Sequence, residues 1–208
     1  MRFFLISALF VVLISSCAAP TVKGLPEIET AATEFINPYF SNIDQDYVYK
    51  AKINAYGSTL GGVLIIKKLN LSTHRFVFVT TFGNKIFDLE ISDYSIKTHY
   101  IIDELDRGLV LKMLHRDFEI LTKEHIKITK SFKRANEDII HQSKTKKGNN
   151  HYITTLQSQE LLEIIHSKNS KEKIIFTFSK VKNSIAEKIS IDHKTAPLKI
   201  DLEYISKN

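Results

Sequence analysis

The chain has 208 residues, with 29 Lys and Arg against 23 Asp and Glu, a formal net charge of +6 and a mean hydropathy of −0.10. That length suits one domain or two small ones with a proper core. The basic residues are spread without a block, which argues against nucleic-acid binding, and the single cysteine, Cys17, excludes an internal disulfide.

Arg2 precedes a mostly apolar run from Phe3 to Ile14, followed by Ser15, Ser16, Cys17 and Ala18. A cationic start, an apolar stretch of 12 residues and small residues before a cut site form a secretion signal. The run falls short of the roughly 20 apolar residues a membrane helix needs. Cleavage after residue 16 leaves a mature chain of formal charge +5, because Arg2 is the one charged residue removed. Residues 17–25 are expected to be a short linker, spanning at most roughly 28 Å when extended, and residues 26–208 a single β domain.

Within that domain, Pro26 and apolar residues at 28, 31, 32, 35 and 36 follow the helical period and predict a short helix that Asn37-Pro38 ends. From Tyr47 the period becomes two. Strands are predicted over Tyr47–Tyr56, Val63–Lys68, Arg75–Phe82, Lys85–Ile91 and Tyr94–Ile102, with Gly57 and Gly61-Gly62 bracketing a turn. A second, amphipathic helix is predicted from Asp106 to Leu121, its stripe at 109, 110, 113, 114, 118 and 121. Further strands follow over 126–130, 138–144, 151–156, 161–165, 173–178 and 185–192. The last places Leu198, Ile200, Leu202 and Tyr204 inward against outward Lys199, Asp201 and Glu203.

A parallel α/β fold would need a helix between most strands. The expected fold is therefore mainly β (α+β): a curved, unclosed antiparallel barrel of about ten strands with two short covering helices. Residues 63–82 carry apolar side chains on both faces, so cover is expected on both sides. The row Leu64, Ile66, Phe76, Phe78 and Phe82 is the candidate apolar ligand surface, against the plainer reading of a filled core.

The tetrad Ile14-Ser15-Ser16-Cys17 resembles the bacterial lipobox, in which the cysteine becomes the lipid-bearing first residue; Cys17 is the expected lipid-attachment site. No aspartate follows it, which for such lipoproteins implies an outer membrane placement facing the periplasm. Behind the lipobox, Gly61-Gly62-Val63-Leu64-Ile65-Ile66, Arg75-Phe76-Val77-Phe78 and Thr81-Phe82-Gly83-Asn84-Lys85-Ile86-Phe87-Asp88-Leu89 resemble the LolA/LolB-like proteins that carry lipoproteins to the outer membrane and receive them there. The resemblance implies an unclosed barrel with helices plugging an apolar cavity for acyl chains. It implies lipoproteins or acyl chains as partners, a membrane held through the N-terminal lipid, no cofactor and no enzymatic activity. The acceptor of that family carries a protruding loop with an apolar tip, for which Leu60 is the nearest match. The alternative is an envelope scaffold lipoprotein with a filled core, working through protein contacts.

Catalytic chemistry has little support. His115-Arg116-Asp117 copies a kinase tripeptide but lies mid-helix without a phosphate loop. The eight histidines show no metal-ligand spacing. Gly57, Ser58, Thr59 and Gly61 fail the spacing of a nucleophile elbow. Asp88 and Glu90 share a strand face and read as a charged outer surface rather than a catalytic pair.

Overall fold

The computed structural model describes residues 19–30, 32–93 and 95–205. Cys17, the signal segment 1–16 and Tyr94 lie outside the described residues. After a 3-10 turn at Pro20–Val22 come β1 (Glu27–Ile28), β2 (Glu34–Ile36), β3 (Asp46–Ala55), β4 (Ser58–Asn70), β5 (Thr73–Thr80), β6 (Lys85–Ser92) and β7 (Ile96–Ile101). Helix α1 (Gly108–Thr122) leads into β8 (His125–Lys127), β9 (Lys130–Lys133), β10 (Ile139–Thr145) and β11 (Gly148–Thr154). The chain ends in β12 (Leu161–Lys168), β13 (Lys171–Lys182), β14 (Ile185–His193) and β15 (Leu198–Tyr204).

Thirteen strands form one sheet in the order β1-β9-β10-β11-β12-β13-β14-β15-β3-β4-β5-β6-β7, while β2 and β8 pair apart. Two antiparallel meanders, β9 to β15 and β3 to β7, are joined where β15 pairs with β3. The sheet stays unclosed, with β1 and β7 as its edges. Tight hairpins set the register: Tyr56 and Gly57 both have positive φ, as the two central residues of a primed turn require, and so do Asn169 and Ser170.

Alternation places one face of every long strand inward. Tyr49, Leu64, Phe78 and Phe87 lie opposite one another across β3 to β6, and Tyr47, Ile66, Phe76 and Leu89 form the next row. With Ile164, Phe176, Ile189, Ile191 and Leu202 from the other meander they make one buried core on the concave side. α1 lies against it. A second, smaller core sits on the opposite face of β9 to β12, where Phe132, Ile140, Ile153 and Ile165 bury Val22.

Several expectations are corrected. Residues 26–36 are not a helix: Glu27 pairs with Phe132 and Phe35 with Ile126, so two short strands stand there. Among the described residues, fifteen strands stand where about ten were expected, and the one helix longer than a turn is α1. Gly61-Gly62 is not a turn but lies inside β4, where a Cβ on Gly62 would sit 2.1 Å from the Val79 carbonyl and 2.8 Å from the Phe78 ring. At the start of the described residues, Ala19, Thr21 and Val22 are buried, and Thr21 Oγ1 donates to Glu172 Oε1 at 2.7 Å, so this strap is docked on the sheet. Among the described residues, the buried apolar cluster on the outer face is the one under this strap, and Val63, Ile65, Val77 and Val79 are half-exposed.

Candidate functional site

α1 is a poor helix at its start and a well-fastened one at its end. Arg107 at the N-cap makes no side-chain hydrogen bond, no acid lies in the first turn, and Leu109, expected in the buried stripe, is 80% exposed. Toward the end, the Phe118 ring stacks on Phe76 at 4.2 Å, and Leu121 is fully buried. Asn37 Nδ2 donates to the carbonyls of Leu121 and Lys123, both at 3.2 Å, supplying partners that helix-terminal carbonyls otherwise lack. Lys68 and Glu124 form a largely buried pair at 2.5 Å, and Lys68 Nζ also donates to the Ser41 carbonyl at 3.0 Å. The helix end and the loop before β3 are thereby locked onto β4.

Four members of the candidate ligand row, Leu64, Ile66, Phe76 and Phe78, are brought together as packed core, whereas Phe82 stands 93% exposed at the β5–β6 turn and faces none of them. Leu60, half in reach of solvent, lies in β4 opposite Ile53 rather than in a loop. The exposed apolar tips at that end are Tyr56 and Phe82. Asp88 and Glu90 are ion-paired on the outer face: Arg75 Nε and Nη2 donate to the Asp88 oxygens at 2.8 and 2.9 Å, and Glu90 meets His99 at 3.0 Å. The Arg75 hydrogen bond holds the Asp88 carboxyl below its usual range.

The open space lies elsewhere on the concave side, over β10 to β12. There the β2–β8 ribbon lays Phe35 across the sheet, its ring 5.7 Å from His141 and 5.6 Å from Tyr152. Two cavities flank it, each of about 690 Å³, within the roughly 300–1,000 Å³ usual for small-molecule sites. The first includes Phe35, Tyr39, Ile139, His141 and Val181, with the carboxylates of Glu29, Glu34 and Glu160 and no Lys or Arg among the described lining residues. The second lies between α1 and β10 to β12, floored by Ile96, Leu111, Ile120 and Tyr152. Its rim is basic, with Lys112, Arg116, Lys123, Lys144 and Lys147.

Polar groups behind the second cavity are ordered. Arg116 Nε and Nη2 both donate to Asp117 Oδ1 at 3.0 Å, and the buried His193 Nε2 lies 2.9 Å from Asp117 Oδ2. Arg116 and Asp117 of the kinase-like tripeptide thus pair with each other, while His115 turns to the Ser92 carbonyl at 3.0 Å. His166 Nδ1 donates to Asn150 Oδ1 at 2.8 Å, and Asn150 Nδ2 to the Tyr152 hydroxyl at 3.4 Å. Burial, with Arg116 adding to it, pushes the His166 imidazole down to about 4. Among the described residues, no group of three or more His, Cys, Asp or Glu could hold a metal ion, and no described helix is long and apolar enough to cross a membrane. The sequence reading missed these cavities because their lining comes from α1, β2 and three distant strands. Buried polar His166, following the apolar Ile164-Ile165 of β12, was the available signal.

No protein-family model and no curated protein matches the chain. Among solved structures, a LolA superfamily protein from Nitrosomonas europaea superposes with a TM-score of 0.54 at 5% identity, covering 82% of this chain and 88% of that one. An outer membrane lipoprotein-sorting protein domain from Vibrio parahaemolyticus gives 0.46 at 9% identity, covering 77% and 83%. A DUF1329 family protein from Desulfovibrio piger gives 0.42 at 8%, covering 78% and 84%. The chain therefore shares its overall fold with the Nitrosomonas europaea protein, its own sheet being open and antiparallel with α1 against the concave side.

Proposed function

We propose that this protein is a non-enzymatic envelope lipoprotein that holds acyl chains, free or on lipoproteins, against the concave face of its sheet. The observation that carries this reading is an apolar concavity covered by a single helix, with a cavity of about 690 Å³ left open on either side of Phe35. An acyl chain of about 14 methylenes buried there would contribute on the order of 10 kcal/mol before ordering costs. The packed row beneath α1 becomes available to a chain only if α1 moves.

Cys17 supplies the anchor in this reading, with cleavage after residue 16 and attachment at the outer membrane on its periplasmic side. Because the chain is docked on the sheet from Ala19 onward, the body would sit close against the bilayer. Cell fractionation checks this: Cys17→Ser should leave the membrane pellet, and a variant that stays there removes the anchor.

Lipid-free protein titrated with a fluorescent fatty acid, followed by native mass spectrometry, tests the carrier. Saturable, stoichiometric binding is expected. Absence of saturable binding together with stoichiometric co-purified proteins would instead favour a scaffold working through protein contacts.

A further inference from the structure

The two cavities differ in charge, and that difference selects a ligand. Among the described lining residues of the first, the acids are Glu29, Glu34 and Glu160, beside His141 and with no Lys or Arg, and Glu34 Oε1 also lies 3.0 Å from His125 Nδ1. The described lining of the second carries Lys112, Arg116, Lys123, Lys144, Lys146 and Lys147 against Asp93 and Glu119. Lys123 Nζ donates to Asp93 Oδ2 at 3.2 Å, which sets one charge of each sign against the other and leaves the excess positive. A smaller cavity of about 340 Å³ shares Arg116, Lys147 and His166 with the second and adds Lys168 and Lys173, with no carboxylate in its described lining. The basic rim therefore continues around the ends of β12 and β13.

We propose that the second cavity binds an anionic phospholipid, with its phosphate held at the rim by Arg116, Lys147 and Lys168 and its acyl chains laid over Leu111, Ile120 and Tyr152. This rests on the acyl-chain reading above and names the ligand class for that site. Arg116 is the fixed element, because its guanidinium is held by the buried Asp117, itself against His193. A guanidinium held in place loses little freedom on meeting a phosphate and can donate in a planar fork. The lysines stand on exposed positions at strand and helix ends, where long side chains reach a headgroup while their stems cover apolar surface. A headgroup at the opposite, acidic cavity would be repelled, so charge also fixes which way the lipid lies.

The test uses the mature chain and three water-soluble probes: dioctanoyl phosphatidylglycerol, dioctanoyl phosphatidylcholine and glycerol phosphate, measured by calorimetry at low and moderate salt. Tenfold or tighter binding of phosphatidylglycerol over phosphatidylcholine, weakened by salt, is expected. In Lys112→Glu/Lys147→Glu the two lipid affinities should converge. Lys50→Glu/Lys52→Glu, the same charge change on the outer face of β3, should keep the preference. Lys144→Glu/Lys168→Glu repeats the test if the first pair does not fold. Equal binding of both lipids overturns the headgroup assignment and leaves the acyl-chain reading standing. Binding of neither lipid overturns both. Glycerol phosphate binding as tightly as phosphatidylglycerol overturns the amphiphile assignment, leaving only an anion site.

Discussion

His166 shows how a single side chain ties the site to stability. It is buried between Asn150 and Arg116, and its imidazole stays uncharged in the folded protein down to about pH 4. In the unfolded chain it takes up a proton near 6.5. Between those values the unfolded state binds the extra proton, so this contribution is complete above about pH 6.5 and is lost as pH falls toward 4. The loss is on the order of 2–3 kcal/mol for His166. His74, His141 and His151 are pushed down by burial in the same direction and add to it. Urea midpoints measured from pH 7.5 to 4.5 should therefore fall steadily, and His166→Gln should flatten part of the slope. A midpoint independent of pH over that window would contradict the assignment. The same residue scale explains Phe82, which was placed with Phe76 and Phe78 by spacing alone. β5 ends at Thr80, Thr81 and Phe82 form the turn that the Gly83 N–H closes by donating to the Thr80 carbonyl at 2.9 Å, and so the pleat that aligns 76 and 78 does not extend to 82.

The strands were legible because alternation is written into them. Leu198, Ile200 and Leu202 are buried as expected, and Leu64, Ile66, Phe76 and Phe78 share the concave face. Residues 26–36 misled because Ile28, Ala32, Phe35 and Ile36 fit a helical spacing. Phe35, however, gains more from stacking between His141 and Tyr152, and its segment gains a β8 partner for its backbone. No local pattern announces contacts more than a hundred residues away. α1 was legible as an element, while its asymmetry was not. Its first turn has neither a capping side chain nor a buried Leu109, whereas its last turns are fixed by Phe118, Leu121 and Asn37. Amide exchange should therefore be faster at 109–112 than at 117–122. Arg107→Asp, which supplies the missing acceptor and suits the helix dipole, should stabilise the first turn by about 0.5–1 kcal/mol and slow that exchange. If α1 covers the ligand, the same variant should slow fatty-acid release. Uniform exchange along α1 would remove the asymmetry.

At the scale of the molecule, the chain wraps two meanders into one curved sheet and uses α1 and the β2–β8 ribbon to half-fill it. The outer face carries ion pairs such as Arg75–Asp88, and over β9 to β12 it carries the strap beginning at Ala19. The larger apolar core lies inside, with an acidic cavity at one end of the concave side and a basic one at the other. What the sequence could not convey is that division. It depends on Glu29, Glu160, Arg116 and Lys147 converging from separate elements. Photo-crosslinking with a diazirine-bearing fatty acid, read by peptide mapping, addresses the arrangement directly. Saturable labelling is expected on the concave lining, at peptides carrying Leu111, Ile120 and Tyr152, and competed by unlabelled fatty acid. Labelling that falls on the outer rows of β4 and β5, or that does not saturate, would contradict an acyl-holding concavity.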